Sequence, residues 1–370
     1  MSARIAVMLP KLSSYGGAEG FSLRLATTLA QRGYAVDFIC ARQEVPAPEG
    51  VTPVIVGRPP LTRACKIAWY AYAAERARTR RGYDLSFSMG KTIAQDVLRM
   101  SGGPLSVFWR LSQRAWEAGF PRTWKMARRR LAPANALIRQ LESTALQNQR
   151  VCVTVSHRVR DWLLEAHPGL SQRDLRIIYN KPDLSRFSAP TEDERAALRK
   201  EYGLAPQDVA ISFAGTNFAL KGLGTLTRAL SMLPPHFKLF VAGGRNPGRF
   251  GALAESLGVA ERIHFLGRVE DMPGLYRASD IFCLPSFYDT CSNAVLEALA
   301  SGARVISTRD NGSSFFLTED RLLEDSADHE GLAAMLDSAA DSPRPDAFVW
   351  PEEVKAGLPP YLDLVDELLA

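Results

Sequence analysis

Short apolar runs rich in β-branched and aromatic residues alternate along the chain with longer segments of helical periodicity. Residues 4–9 read as a first strand. Residues 18–32 place Ala18, Phe21, Leu25 and Leu29 at the three-and-four spacing of a half-buried helix, and Gly33 closes it. Further strands are predicted over residues 35–40, 85–88, 106–109, 151–155 and 176–179, with Ser156 as the N-cap of the helix after the fourth of these. Residues 180–190, punctuated by Pro182 and Pro190, and the charged stretch 191–200 read as a linker. A second series follows: strands at 209–214, 238–242, 262–266, 281–284 and 304–307, a helix at 223–233, other helices between them, and a last amphipathic helix at 361–369. Strands alternating with helices predict parallel sheets. No fixed-period repeat is present. The expectation is α/β: two doubly wound lobes, residues 1–180 and 181–354, facing a central cleft. A C-terminal helix at about 355–370 is expected to pack back on the first lobe.

A chain of 370 residues exceeds what one hydrophobic core commonly holds, which agrees with two lobes. The 46% hydrophobic content is ordinary for a globular protein, and no apolar run is long enough to predict a spanning helix. Residues 5–9 are apolar but lack a longer hydrophobic region and a cleavage site, so they suit a strand better than a secretory leader. Cys40, Cys65, Cys152, Cys283 and Cys291 show no CxxC spacing, and five histidines show no metal-ligand spacing. Free thiols in a reducing cytoplasm and no metal site are expected.

Charge changes the picture. Residues 1–180 hold 27 Lys and Arg against 12 Asp and Glu, whereas residues 181–370 hold 18 against 28. The densest basic stretch carries Arg110, Arg114, Arg122, Lys125, Arg128, Arg129 and Arg130, interleaved with Trp109, Trp116, Phe120 and Trp124. Basic and aromatic side chains together suit an anionic membrane surface, with Arg110, Arg114 and Lys125 as candidate contacts for it or for an acceptor. No helix-turn-helix, zinc finger or RNP signature accompanies the charge, so nucleic acid is not an expected partner.

Four loops after predicted strands carry candidate chemistry. Tyr15-Gly16-Gly17-Ala18-Glu19 joins a strand to a helix whose N-terminus can receive an anion, but it is not the GxGxxG of a dinucleotide site. The loop from Gly215 through Asn217 to Lys221-Gly222 puts a lysine where it can neutralise a diphosphate, without the order of a Walker loop. Gly267-Arg268-Val269-Glu270 offers backbone groups to a base edge. The fourth runs from Pro285 to Gly302. Ser292 is a predicted N-cap, Gly302 a predicted C-terminal stop, Asp289 lies in the loop, and Asn293 and Glu297 lie on the helix.

In this order the loops resemble family 4 of the retaining glycosyltransferases, which share the GT-B fold. Gly16-Gly17-Ala18-Glu19, Gly215 to Lys221-Gly222 and Asp289-x7-Glu297-Ala298 carry the resemblance. Ile178-Tyr179-Asn180, Asp183 to Phe187, His264-Phe265-Leu266-Gly267 and Ala278-Ser279-Asp280 extend it. It covers nearly the whole chain, and within the family it is similar to lipopolysaccharide core sugar transferases. The resemblance implies metal-independent, cofactor-free, retaining transfer of a hexose from an NDP-sugar, foremost a UDP-sugar, to a glycan or glycolipid. The first lobe would then bind acceptor and the second donor, in the cytoplasm or peripherally at the inner face of the cytoplasmic membrane. It also implies that Lys221 holds the diphosphate and Glu297 the ribose hydroxyls. Asp289 would bind donor-sugar hydroxyls, Val269 the base through its backbone, and Gly17 would pass near the phosphates. Gly16, Gly215, Asn217, Ser292 and Asn293 complete the implied donor site. Two family features are missing. Thr216, Ala219 and Leu220 stand where an arginine usually precedes the lysine, and Gly102-Gly103-Pro104-Leu105 lacks the usual histidine. Arg110 and Arg114 are candidates to compensate. A nucleotide-sugar epimerase and a non-catalytic glycan- or partner-binding protein are the rival readings of the same pattern.

Overall fold

A computed structural model describes residues 2–14, 16–116, 118–244, 247–345 and 348–370. Tyr15 therefore lies outside the described residues. The chain forms two compact units. One comprises Met1–Trp109, Gly119–Tyr179 and Lys355–Ala370; the other comprises Arg110–Ala118 and Asn180–Val354.

The first unit is built from β1 (Arg4–Met8), β2 (Lys11–Leu12), α1 (Gly17–Gln31), β3 (Ala35–Cys40), β4 (Arg42–Gln43), β5 (Val51–Ile55), α2 (Arg63–Arg81), β6 (Leu85–Ser88) and β7 (Val97–Met100). It continues with α3 (Leu105–Ser112), α4 (Phe120–Leu131), α5 (Pro133–Gln147), β8 (Val151–Thr154), α6 (His157–Ala166) and β9 (Asp174–Ile177). Seven strands pair in the order β5-β3-β1-β6-β7-β8-β9, all parallel, and β2 pairs with β4 as a separate ribbon. The chain winds outward from β1 in both directions, so connections reverse between β1 and β6.

The second unit contains α7 (Glu192–Glu201), β10 (Val209–Ala214), α8 (Leu223–Ser231), β11 (Phe237–Ala242), α9 (Arg249–Ser256), β12 (Ile263–Gly267) and α10 (Met272–Ala278). It is completed by β13 (Ile281–Leu284), α11 (Asn293–Ala300), β14 (Arg304–Thr308), β15 (Leu322–Leu323) and α12 (His329–Asp341). Its parallel sheet runs β12-β11-β10-β13-β14-β15 and reverses between β10 and β13. A continuous apolar core lies under it, with Ile211, Phe213, Phe282 and Leu284 at 0% exposure, as strands covered on both faces require.

The last helix, α13 (Pro359–Leu369), returns to the first unit. Tyr361 packs its ring 4.9 Å from that of Phe21 on α1, and its hydroxyl accepts from Nε of Arg99 at 2.8 Å. Arg99 is buried in the middle of β7, and its guanidinium lies 3.9 Å from the centre of the Phe21 ring. A charge that is stacked and hydrogen-bonded in this way can be tolerated inside a core.

Two local expectations change, and two strands that the sequence did not show are added. Residues 106–109 form part of α3, not a strand. A short apolar run fits either, and here Phe108 N–H bonds to the Pro104 carbonyl while Glu142 on α5 accepts from the Leu105 N–H at 3.0 Å. The stretch 191–200 is helix α7, started by a capping box in which Thr191 and Glu194 satisfy each other's backbone N–H groups. Strands β5 and β7 carry no clear alternation: Pro53 interrupts β5, which is tolerated because β5 is an edge strand, and Arg99 interrupts β7.

Candidate functional site

In an open parallel sheet, ligands bind beyond the carboxyl ends of the strands where the winding reverses. In the second unit that place lies between β10 and β13. The two loops singled out by the sequence, Gly215–Gly222 and Pro285–Ser292, leave those two strands.

The first loop is shaped by its own backbone and by glycines. Asn217 folds it: its side-chain oxygen accepts from Leu220 N–H at 3.2 Å, and its carbonyl accepts from Lys221 N–H at 3.0 Å. Gly222 has φ +80°, and a Cβ there would sit 2.0 Å from the Pro285 carbonyl oxygen. Gly243, at φ +90°, would place a Cβ 2.4 Å from the Gly215 carbonyl oxygen. Phe287 N–H donates to the Leu220 carbonyl at 2.9 Å, which ties the two loops together. Gly215 leaves room for the Lys221 stem, since a Cβ on it would lie 2.9 Å from Lys221 Cγ. No side chain caps α8, whose N-cap is Gly222. A cation and an uncapped helix start thus share one loop, a combination that favours a negative ligand group.

The second loop brings Asp289 to Lys221, and the two pair through Nζ and Oδ2. Asp289 is fixed by a parallel bridge to Asn311: its N–H donates to the Asp310 carbonyl at 3.0 Å, and its own carbonyl accepts from Gly312 N–H at 2.8 Å. Ser292 caps α11 through Val295 N–H at 3.4 Å, and Gly302 ends that helix at φ +73°. Asn293 accepts from Asn180 Nδ2 at 2.9 Å.

Glu297 occupies a neighbouring cavity of about 400 Å³, lined with Arg186, Phe187, Arg268, Val269, Glu270 and Met272. Burial pushes its carboxyl above the usual carboxylate range, while the Tyr276 hydroxyl and the Arg186 charge pull it back down. Tyr276 donates to Oε2 at 3.3 Å. The candidate residues therefore gather in two pairs, Lys221 with Asp289 and Glu297 with Val269. Ser292 and Asn217 spend their side chains on local backbone.

Gly16 and Gly17 belong to the first unit, at the start of α1. Gly16 has φ +118°, and a Cβ there would lie 2.3 Å from the Glu19 carboxylate, whereas one on Gly17 meets nothing within 4 Å. Arg114 belongs to the second unit and pairs with Asp310 at 3.4 Å and with Asp325, so its charge is already engaged. Arg110 shares that segment and is exposed; Lys125 lies on α4. None of the five cysteines forms a disulfide. Among the described residues no three His, Cys, Asp or Glu side chains cluster as metal ligands would. Among them, too, no helix is long and apolar enough to cross a membrane. The sequence reading missed Arg186, Tyr276 and Asn311. Arg186 lay inside the noted segment from Asp183 to Phe187, while Tyr276 and Asn311 gave no local signal.

Two parallel-sheet units with this winding, and a lysine-carboxylate pair at the second reversal point, define a glycosyltransferase of the GT-B fold. Two family models match in succession, Glycosyltransferase Family 4 over residues 15–186 and Glycosyl transferases group 1 over residues 208–341. The chain is a glycosyltransferase similar to the enzymes of lipopolysaccharide core assembly. It is 24% identical over 335 residues to the lipopolysaccharide glucosyltransferase WaaG of Escherichia coli strain K12, covering 85% of this chain and 83% of that protein. The crystal structure of WaaG superposes with a TM-score of 0.72 at 21% identity, over 91% of this chain and 90% of that one. Anabaena HepE in complex with UDP and glucose shares the fold at a TM-score of 0.67 and 16% identity, over 92% and 90% of the two chains.

Proposed function

We propose that this glycosyltransferase moves a hexose from an NDP-sugar, foremost a UDP-sugar, to a glycan or glycolipid acceptor of the lipopolysaccharide core kind. The transfer retains configuration and needs neither metal ion nor other cofactor. The observation that carries the reading is the Lys221–Asp289 pair held at the strand reversal beside the uncapped start of α8. The name of WaaG and the UDP and glucose held by HepE support the choice of donor and acceptor class. In this reading Lys221 neutralises the departing diphosphate, and Asp289 accepts hydrogen bonds from the donor sugar. Glu297 accepts them from the ribose, and the Val269 backbone meets the base. Charge stabilisation of the leaving group is the main contribution such a site can make. A screen of nucleotide sugars by thermal unfolding tests the donor: at about 100 times its Kd a bound donor adds roughly 2.7 kcal/mol of stability. No rise with any UDP-sugar would sink the donor assignment. A UDP-hexose rearranged in the absence of acceptor would favour the epimerase instead.

We further propose that the enzyme works at a membrane surface. Helix α4 exposes Phe120, Trp124 and Leu131 at 79%, 60% and 81%. Their spacing puts all three within about 40° on one helical face. Arg122, Lys125, Arg128, Arg129 and Arg130 lie on the same helix. An apolar stripe with basic residues suits the headgroup layer of an anionic bilayer, here the inner face of the cytoplasmic membrane. Binding to vesicles containing anionic lipid is expected to weaken as salt rises. The combined change of Phe120, Trp124 and Leu131 to serine should lower it by about 10-fold or more. Equal binding to neutral and anionic vesicles would refute the charge component.

A further inference from the structure

The segment Asp183 to Phe187, noted in the sequence for its resemblance alone, turns out to be a wall of the Glu297 cavity. Asp183 builds the turn. Its carboxylate accepts from Ser185 N–H at 3.0 Å and from Ser185 Oγ at 2.6 Å, and its carbonyl accepts from the N–H groups of Arg186 and Phe187 at 3.1 and 2.9 Å. This is a closed local motif of the kind aspartate favours. It presents Arg186 and Phe187 side by side, with the guanidinium 5.5 Å from the Phe187 ring centre.

Each of these side chains has a fixed partner. Arg186 donates an Nη2 hydrogen bond to the Glu270 carbonyl at 3.0 Å, so it grips the loop that carries Val269. Its own carbonyl accepts from Arg277 at 3.4 Å, and Arg277 further anchors the segment leaving the turn through the carbonyl and hydroxyl of Ser188. The Phe187 ring centre lies 6.2 Å from that of Tyr276, which stands edge-on to Phe282 at 5.4 Å. Tyr276 is fully buried, and its hydroxyl points at Glu297. A phenylalanine would fill the same core volume. The hydroxyl is the only polar atom that distinguishes tyrosine there, and a buried hydroxyl without a partner is costly.

We propose that Tyr276 and Arg186 are positioning residues of the donor site. They hold the Glu297 carboxylate as the acceptor for the ribose hydroxyls, and Arg186 couples it to the loop that meets the base. The inference rests on the donor reading of the Glu297 cavity. The physical need is plain. A carboxylate pushed by burial toward its neutral form loses acceptor strength, and without a fixed partner it can rotate away from the ribose. The tyrosine hydroxyl occupies Oε2 and leaves Oε1 and the remaining lone pairs for the ligand. The Arg186 charge favours the ionised form. The groups facing Glu297 are Arg186 from the turn, Tyr276 from α10, and Arg268 and Glu270 from the loop after β12.

Binding that needs ionised Glu297 is present above its pKa and fades as pH falls through it. Removing the Arg186 charge lets burial raise that pKa further, so the acid limb of binding moves to higher pH.

The test is calorimetric titration of the full-length protein and its Tyr276→Phe, Arg186→Gln and Arg186→Lys variants with UDP, from pH 5.5 to pH 8.5, followed by the same titrations with 2′-deoxy-UDP. Tyr276→Phe and Arg186→Gln are each expected to weaken UDP binding about 10-fold, the scale of one hydrogen bond to a charged group. Arg186→Gln shifts the acid limb upward, and Arg186→Lys restores the limb because it restores the charge. Loss of the 2′-hydroxyl should cost the wild type more than it costs either variant, since variant and analogue remove the same interaction. UDP affinities within twofold of wild type at every pH, or variant and analogue losses that simply add, would overturn the proposal while leaving the donor reading intact. A wild-type protein that binds no UDP would overturn both.

Discussion

Replacing Lys221 by alanine lowers kcat/KM for sugar transfer by about 10²–10³-fold, the usual consequence of removing one preorganised stabiliser of a developing charge. The expectation follows from the position of the side chain. Its stem passes over Gly215, and its ammonium meets Asp289 across a gap of 68 residues in sequence. Two features of the loop make this the largest functional effect. No arginine precedes it in the loop, since Thr216, Ala219 and Leu220 fill those places, so little of the loop's own charge remains once it is gone. Its loss also leaves Asp289, whose side chain is only 11% exposed, as an unpaired carboxylate beside the place proposed for the diphosphate. Repulsion then adds to the missing attraction. Lys221→Arg should recover only part of the rate, because a planar fork cannot replace a compact point charge in a space fitted around a lysine. Steady-state kinetics with a UDP-sugar and UDP binding by titration check both statements. An alanine variant within threefold of wild type in kcat/KM would remove Lys221 from the mechanism.

The second large effect is structural. Gly222→Ala is expected to destabilise the second unit by about 2–4 kcal/mol, combining the left-handed cost for a residue with a Cβ and the cost of forcing atoms into packed space. The clash is with backbone, not with a side chain that can swing aside. The new Cβ would lie 2.0 Å from the Pro285 oxygen and 2.8 Å from its carbonyl carbon. Either the Lys221 loop or the Asp289 loop must move, so activity should fall together with stability. Gly203→Ala is the matched control. Gly203 also has a left-handed φ, +67°, but nothing lies within 4 Å of its would-be Cβ. It should cost only about 1 kcal/mol and leave transfer intact. Thermal unfolding and activity of the two variants separate steric closeness from backbone strain. Equal losses for both would show that the approach of the two loops does not matter.

Much of the fold was legible because the signals that specify it are local. Helix α1 shows its buried stripe and its glycine stop, and α11 shows its Ser292 cap and its Gly302 stop. The strands β10, β11 and β13 read as nearly unbroken apolar runs, as strands covered on both faces do. The failures also have local causes. Leu105 to Trp109 is an apolar run too short for periodicity to separate helix from strand. Pro53 and Arg99 broke the patterns of β5 and β7, and only the edge position of the one and the stacked, hydrogen-bonded burial of the other explain how strands form there. The charged 191–200 segment looked like a linker although Thr191 and Glu194 are spaced as a capping box.

The candidate site divides in the same way. From the sequence alone came the loops that follow β10, β12 and β13, the lysine in one and the two carboxylates around α11, because residue type and spacing along one short element are local properties. Close approach between segments was decided only by the tertiary structure. Strand order places β10 beside β13 and so lets Lys221 reach Asp289. The same packing sets Gly222 against Pro285, aims Tyr276 at Glu297, and gives Arg114, expected at an anionic surface, to Asp310 and Asp325 instead. Such pairings depend on sheet order, register and the volumes packed between elements. Those quantities come from interactions summed over the whole unit, and no short stretch of residues contains them.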